Sequence, residues 1–89
     1  MENNKYKRVK WNYKMLVDLG FKKYKTIIKA HNYIKGDFSI NSALPIFSYK
    51  NEFLPYTPYL DDIAGMYFEK TGKYLKPKNK DLFKQKYNI

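Results

Sequence analysis

The sequence predicts a mainly α-helical fold with a small β component: three to four short helices, and a hairpin or packed loop at about 38–56. Three observations predict it. Apolar residues recur at helical spacing in two stretches before Gly36 and in one after Pro58. Glycines and capping residues bracket those stretches. The segment between them, interrupted by Pro45 and Pro55, has no helical period.

The first helix is expected from about Tyr6 to Leu19. Tyr6, Val9, Tyr13, Leu16 and Val17 follow the spacing of one buried face, and Gly20 stands where a helix stops. A second helix is expected over Phe21 to Lys35, with Tyr24, Ile27, Ile28, His31 and Ile34 inward and Gly36-Asp37 ending it. Thr26-Ile27-Ile28 is equally good strand material. In the middle, Lys50-Asn51-Glu52 reads as a turn between Ile46-Phe47-Ser48-Tyr49 and Phe53-Leu54.

The third helix has the clearest limits. Thr57 is placed to cap it, Pro58 suits its first position, and Asp61 and Asp62 suit the positive end of the helix dipole. Leu60, Ile63, Ala64, Tyr67 and Phe68 form its inward stripe, and Gly72 ends it. Asn79 caps a last short helix holding Leu82, Phe83 and Tyr87. A hairpin beside these helices would make the fold winged-helix-like. The chain is expected to form one small basic domain, 1–89, with fraying ends at 1–5 and 85–89.

Seventeen lysines and Arg8 give the chain a net charge of +10, which draws it toward polyanions. The charge is uneven: +9 from Lys5 to Lys35, −4 from Asp37 to Glu69, and +6 from Lys70 onward. Lysine, asparagine, tyrosine and isoleucine dominate, and their codons are A/T-rich. That points to an A/T-rich genome, such as that of a phage or mobile element, and mutational bias then accounts for part of the lysine. No cysteine is present, which excludes disulfides and thiolate chemistry. No apolar run is long enough for a membrane span, so the expected location is cytoplasmic and no membrane partner is expected.

If residues 6–19 are helical, Trp11 points away from the apolar face and lies among Lys7, Arg8, Lys10 and Lys14. A ring in a lysine patch can stack on a base while the lysines neutralise phosphates. The alternative is that Trp11 is core. Lys22, Lys25, Lys29 and Tyr33 repeat the pattern on the second helix, where a plain solvated face is the competing reading. The less basic middle offers Phe47, Tyr49, Phe53 and Tyr56 as aromatic anchors for a protein partner.

Catalysis has little support: Asp61 and Asp62 suit a helix start, and a lone His31 builds no metal site. The expectation is therefore a non-enzymatic nucleic-acid-binding or DNA-replication accessory protein without cofactor or metal. It would touch the backbone through lysines, with low sequence specificity and with DNA ahead of RNA. The alternative is a protein-interaction module: a small subunit of a nucleic-acid enzyme, or a phage-encoded inhibitor of a host enzyme or defence system. Nothing in the chain sets an oligomeric state.

Overall fold

The computed structural model describes residues 8–26, 29–43 and 46–88. These form an α+β fold, not a mainly helical one. The chain packs as two compact units: Phe21–Tyr56 is one, and the segments on either side of it in sequence form the other.

The Phe21–Tyr56 unit is a five-stranded antiparallel meander. Its strands are β1 (Lys22–Lys25), β2 (His31–Lys35), β3 (Phe38–Asn41), β4 (Ile46–Tyr49) and β5 (Glu52–Leu54), in the order β1-β2-β3-β4-β5. Two connections are two-residue turns. Gly36 takes φ +62° between the paired residues Lys35 and Phe38, a conformation that glycine adopts without strain. Lys50 and Asn51 both have positive φ, 49° and 66°, as a type I′ turn requires, and they close Tyr49 onto Glu52. The β1–β2 loop is held by Thr26, whose hydroxyl accepts from the Ala30 amide at 3.2 Å.

Side chains alternate across this sheet. Tyr33, Ile40 and Phe47 are direct cross-strand neighbours, and all three are buried, with Phe38 beside them. Each such side chain contributes about 1.5–3 kcal/mol of transfer free energy. Phe21 meets Phe38 edge-on at 6.1 Å, and Phe47 lies 5.5 Å from Tyr56.

This sheet overturns the expected second helix. Tyr24, His31 and Ile34 satisfy helical spacing, but Thr26, Tyr33 and Ile34 are strong strand formers, and Gly36-Asp37 is a hairpin turn and not a helix stop. Ile27 and Ile28 lie outside the described residues, as do Leu44 and Pro45. The hairpin expected around Lys50-Asn51 is two strands of a larger sheet, and the winged-helix comparison goes with the helix it needed.

The other unit holds α1 (Tyr13–Asp18), α2 (Leu60–Thr71) and α3 (Lys80–Tyr87). Helix α1 is far shorter than the expected Tyr6–Leu19. Asn12 caps it by accepting from the Met15 amide at 2.9 Å. Just before Asn12, Val9 to Trp11 pairs with the approach to α2: Trp11 N–H donates to the Pro58 carbonyl at 3.0 Å, and Leu60 N–H to the Val9 carbonyl at 2.6 Å. Pairing there satisfies backbone groups that a helix would have satisfied internally.

Helix α2 buries Leu60, Ile63, Ala64 and Tyr67 along one stripe. It starts two residues later than Pro58 would suggest. Thr57 is not its cap: the cap position is Tyr59, whose amide donates to the Thr57 hydroxyl at 3.2 Å. Gly72, at φ +73°, ends it in the left-handed conformation, and its N–H donates to the Phe68 carbonyl. Asn79 caps α3 through the Leu82 amide at 3.0 Å, and Phe83 is buried. The expected fraying at 1–5 lies outside the described residues, whereas α3 runs on to Tyr87. No helix among the described residues is long and apolar enough to cross a membrane.

Candidate functional site

Register carries the side chains of each cross-strand row to one side of a sheet. On the face opposite Tyr33, Ile40 and Phe47, Lys22 pairs with Ile34, Ile34 with Ser39, Ser39 with Ser48, and Ser48 with Phe53. These five make one row from edge to edge. The next row, two residues along, is Tyr24, Asn32, Asn41 and Ile46. Five strands at about 4.8 Å spacing make a face about 19 Å wide.

That outer face is open and chemically mixed. Phe53 is 78% exposed, Tyr24 50% and Ile46 39%. Between Tyr24 and Phe53 stand two amides and two hydroxyls together with the half-buried Ile34, while the margins carry the rings. Asn41 Nδ2 donates to Asn32 Oδ1 at 2.7 Å, and the Ala43 amide donates to Asn41 Oδ1 at 2.8 Å. Lysines gather at one margin. Strand β1 is exposed along its whole length and carries Lys22, Lys23 and Lys25, with Lys29 exposed in the following loop. No acid occurs between Asp18 and Asp37, so nothing in that stretch of sequence offsets them.

The residues expected from sequence to bind nucleic acid divide sharply. Lys22, Lys25 and Lys29 are exposed, but strand alternation puts Lys22 on the outer face with Tyr24 and turns Lys25 to the opposite one. They do not form a helical stripe. Tyr33 is 4% exposed and belongs to the inner face, so its ring is not accessible to a base. Lys10 and Lys14 are exposed on the helical unit, and Lys7 lies outside the described residues.

Trp11 is half-buried in an extended segment, and no helix there turns it toward a lysine patch. Its indole N–H donates to the Thr57 carbonyl at 2.7 Å, and its ring meets Tyr13 edge-on at 5.1 Å. Arg8 is engaged beside it. Its Nη1 donates to both Asp62 oxygens at 2.9 and 3.0 Å, and its guanidinium sits 3.9 Å over the Tyr59 ring. Desolvation works against the Arg8 charge, but Asp62 and Asp61 together outweigh it and raise the pKa above its ordinary value. Asp62 also accepts from the Thr57 hydroxyl at 2.7 Å. The two acids therefore clasp the start of α2 to the chain before α1.

Of the anchors expected for a protein partner, Phe47 is fully buried and Tyr49 half-buried, while Phe53 and Tyr56 are exposed. In the helical unit, a cavity of about 320 Å³ is lined by Val17, Asp18, Pro77, Leu82, Phe83 and Lys86. Its carboxylate is already engaged: Asp18 accepts from the Tyr87 hydroxyl and from Lys86 Nζ at 3.0 Å. The Tyr87 hydrogen bond, supported by Lys86, holds Asp18 below the usual carboxylate range.

Sequence reasoning missed the outer-face pairing of Tyr24, Asn32, Asn41, Ser39 and Ser48. A signal for it does exist. Phe38-Ser39-Ile40-Asn41 alternates strictly after Gly36-Asp37, which is a hairpin turn followed by a half-buried strand. No protein-family model, no curated protein and no solved structure matches the chain.

Proposed function

We propose that the protein binds single-stranded nucleic acid across the outer face of its sheet. One observation carries the proposal: exposed rings, Phe53 and Tyr24, share a face with Lys22 and with the amides of Asn32 and Asn41. Bases have two apolar faces and a polar edge, and the phosphates between them are anionic. A flat surface offering rings, amides and a cationic margin complements all three.

Lys22 on the outer face, with the exposed Lys29 beyond β1, would take the phosphates, with Tyr24 and Phe53 stacking on bases at the two margins. Between them the strand would cross the hydroxyls of Ser39 and Ser48, the amides of Asn32 and Asn41, and the half-buried Ile34. Lysine serves the backbone as a point charge and does not provide the planar fork that reads guanine, so the phosphate contacts carry little sequence preference. A cytoplasmic location and a replication accessory role accompany this proposal.

Titration of labelled single-stranded and duplex oligonucleotides at two salt concentrations tests it. Single strands should bind more tightly than duplex, and log affinity should fall linearly with log salt. Affinity that does not change with salt, or equal binding to duplex, would overturn it. A second reading, a protein-docking module, rests on Phe53 and Tyr56, both exposed at or just beyond β5. Pull-down after nuclease treatment separates the two: a stoichiometric protein that survives digestion supports docking.

A further inference from the structure

We infer that Asn32 makes the sheet face discriminate between bases, favouring those that present hydrogen-bond acceptors and disfavouring adenine. This rests on the binding proposed above. It begins from a chain of three groups whose orientations are all determined. The Ala43 amide donates at 2.8 Å to a side-chain atom of Asn41, and a backbone N–H can only donate, so that atom is Oδ1. Asn41 must then present its NH₂ on the other side. It meets Asn32 at 2.7 Å, so the Asn32 atom there is Oδ1.

The Asn32 oxygen is therefore turned toward Asn41, with one of its two lone pairs engaged there. The NH₂ group of Asn32 donates to nothing among the described residues. Tyr24 is its direct cross-strand partner on the same face, and such neighbours have Cβ atoms about 5 Å apart. A base stacked on the half-exposed Tyr24 ring would bring its edge alongside the Asn32 NH₂.

An unconstrained asparagine suits adenine, because its oxygen takes the N6 amine while its NH₂ gives to N7. With that oxygen held toward Asn41, Asn32 leads with the donor half of that pair. Adenine places its N6 amine beside the acceptor on each of its two accessible edges, so either edge gives the Asn32 NH₂ a single acceptor. Guanine presents O6 beside N7, and cytosine O2 beside N3, both without an intervening donor. Ser42 fixes the backbone beside Asn32: its Oγ accepts from the His31 amide at 2.8 Å, and its N–H donates to the His31 carbonyl at 2.9 Å.

The test compares short oligo(dC) and oligo(dA) of equal length, at one salt concentration, on wild type, Asn32→Ala and Asn32→Asp. Wild type should prefer oligo(dC) by about five- to tenfold. Asn32→Ala should lose most of that ratio. Asn32→Asp keeps the acceptor facing Asn41 but replaces the donor with an acceptor, and should also abolish the preference. Circular dichroism checks that each variant is folded, and if one is not, the other carries the comparison. Because oligo(dA) stacks on itself in every protein background, the change of ratio between proteins is the readout. A ratio unchanged in both variants would overturn the role of Asn32 while leaving single-strand binding intact. Failure of wild type to bind either oligonucleotide would overturn the binding proposal itself.

Discussion

On the inner face of the sheet the cross-strand neighbours Tyr33, Ile40 and Phe47 are buried, whereas on the outer face Tyr24 and Phe53 stand exposed among asparagines and serines. Both faces are drawn from the same strands, so strand propensity cannot explain the difference. The inner rings are where the hydrophobic effect puts them. The outer rings remain in water, and a single exposed apolar residue would need no explanation. Three on one sheet face, Tyr24, Phe53 and Ile46, with amides between them and lysines at one margin, make a surface suited to contact. A residue's type thus says less about its role than the side of the strand it falls on.

Substitution can break this comparison. The largest expected effect is on the inner face, where Ile40→Ala should destabilise by about 2–5 kcal/mol in denaturant melts. A loss below about 1 kcal/mol would mean that the inner face is not the core. Phe53→Ala should behave in the opposite way. Its stability should change by less than about 0.5 kcal/mol, while single-strand affinity falls by about 1–3 kcal/mol if a base stacks there. If Phe53→Ala instead unfolds the protein, the two faces do not differ in kind.

Trp11→Phe asks whether a tethered ring belongs with the inner or the outer aromatics. It keeps the edge-on contact with Tyr13 but removes the bond to Thr57, so a stability cost of about 1 kcal/mol is expected. Oligonucleotide affinity should not change. Weaker binding at unchanged stability would return Trp11 to the contact surface.

The smallest effect belongs to the helical unit and serves as a control for the sheet. Asp18 has a depressed pKa, set first by the Tyr87 hydroxyl and then by Lys86. A depressed carboxyl contributes stability above its unfolded pKa, near 3.9, and loses it as pH falls through the lower folded value. Wild type should therefore exceed Asp18→Asn in stability at neutral pH, by well under the effect of Ile40→Ala. The gap should close below about pH 4. A gap that is constant from pH 7 to pH 3 would show that the carboxylate charge is not what matters.

Helices α2 and α3 were legible in the sequence because their limits are marked by single residues, Gly72 and Asn79, whose backbone chemistry is local. Helix α1 was overextended because Val9 fits the helical period of Tyr13 and Leu16, although Asn12 already marks the start. The backbone of Val9 and Trp11 is satisfied by Pro58 and Leu60, some fifty positions away, and no local pattern announces that. Strands β1 and β2 were misread for a related reason: Tyr24, His31 and Ile34 fit two periods at once over a short window.

The candidate site was legible in its ingredients but not in its assembly. Lys22, Phe53 and Tyr56 could be named from residue type and neighbourhood. Tyr24 could not, because a helical period places it inward. The Asn32–Asn41 bond depends on the register of two strands, which one-dimensional patterning does not contain.

An open sheet has two edges, and each is a template on which another chain could add a strand. Here β1 presents Lys22, Lys23 and Lys25, which repel a like neighbour, and β5 is only three residues long and runs into Pro55, which has no N–H to offer. The same lysines that would attract phosphate therefore keep an aromatic-bearing sheet from templating its own aggregation. Acetylation along β1, or high salt, should release both restraints together: polyanion affinity would fall as the tendency to form fibrils rose.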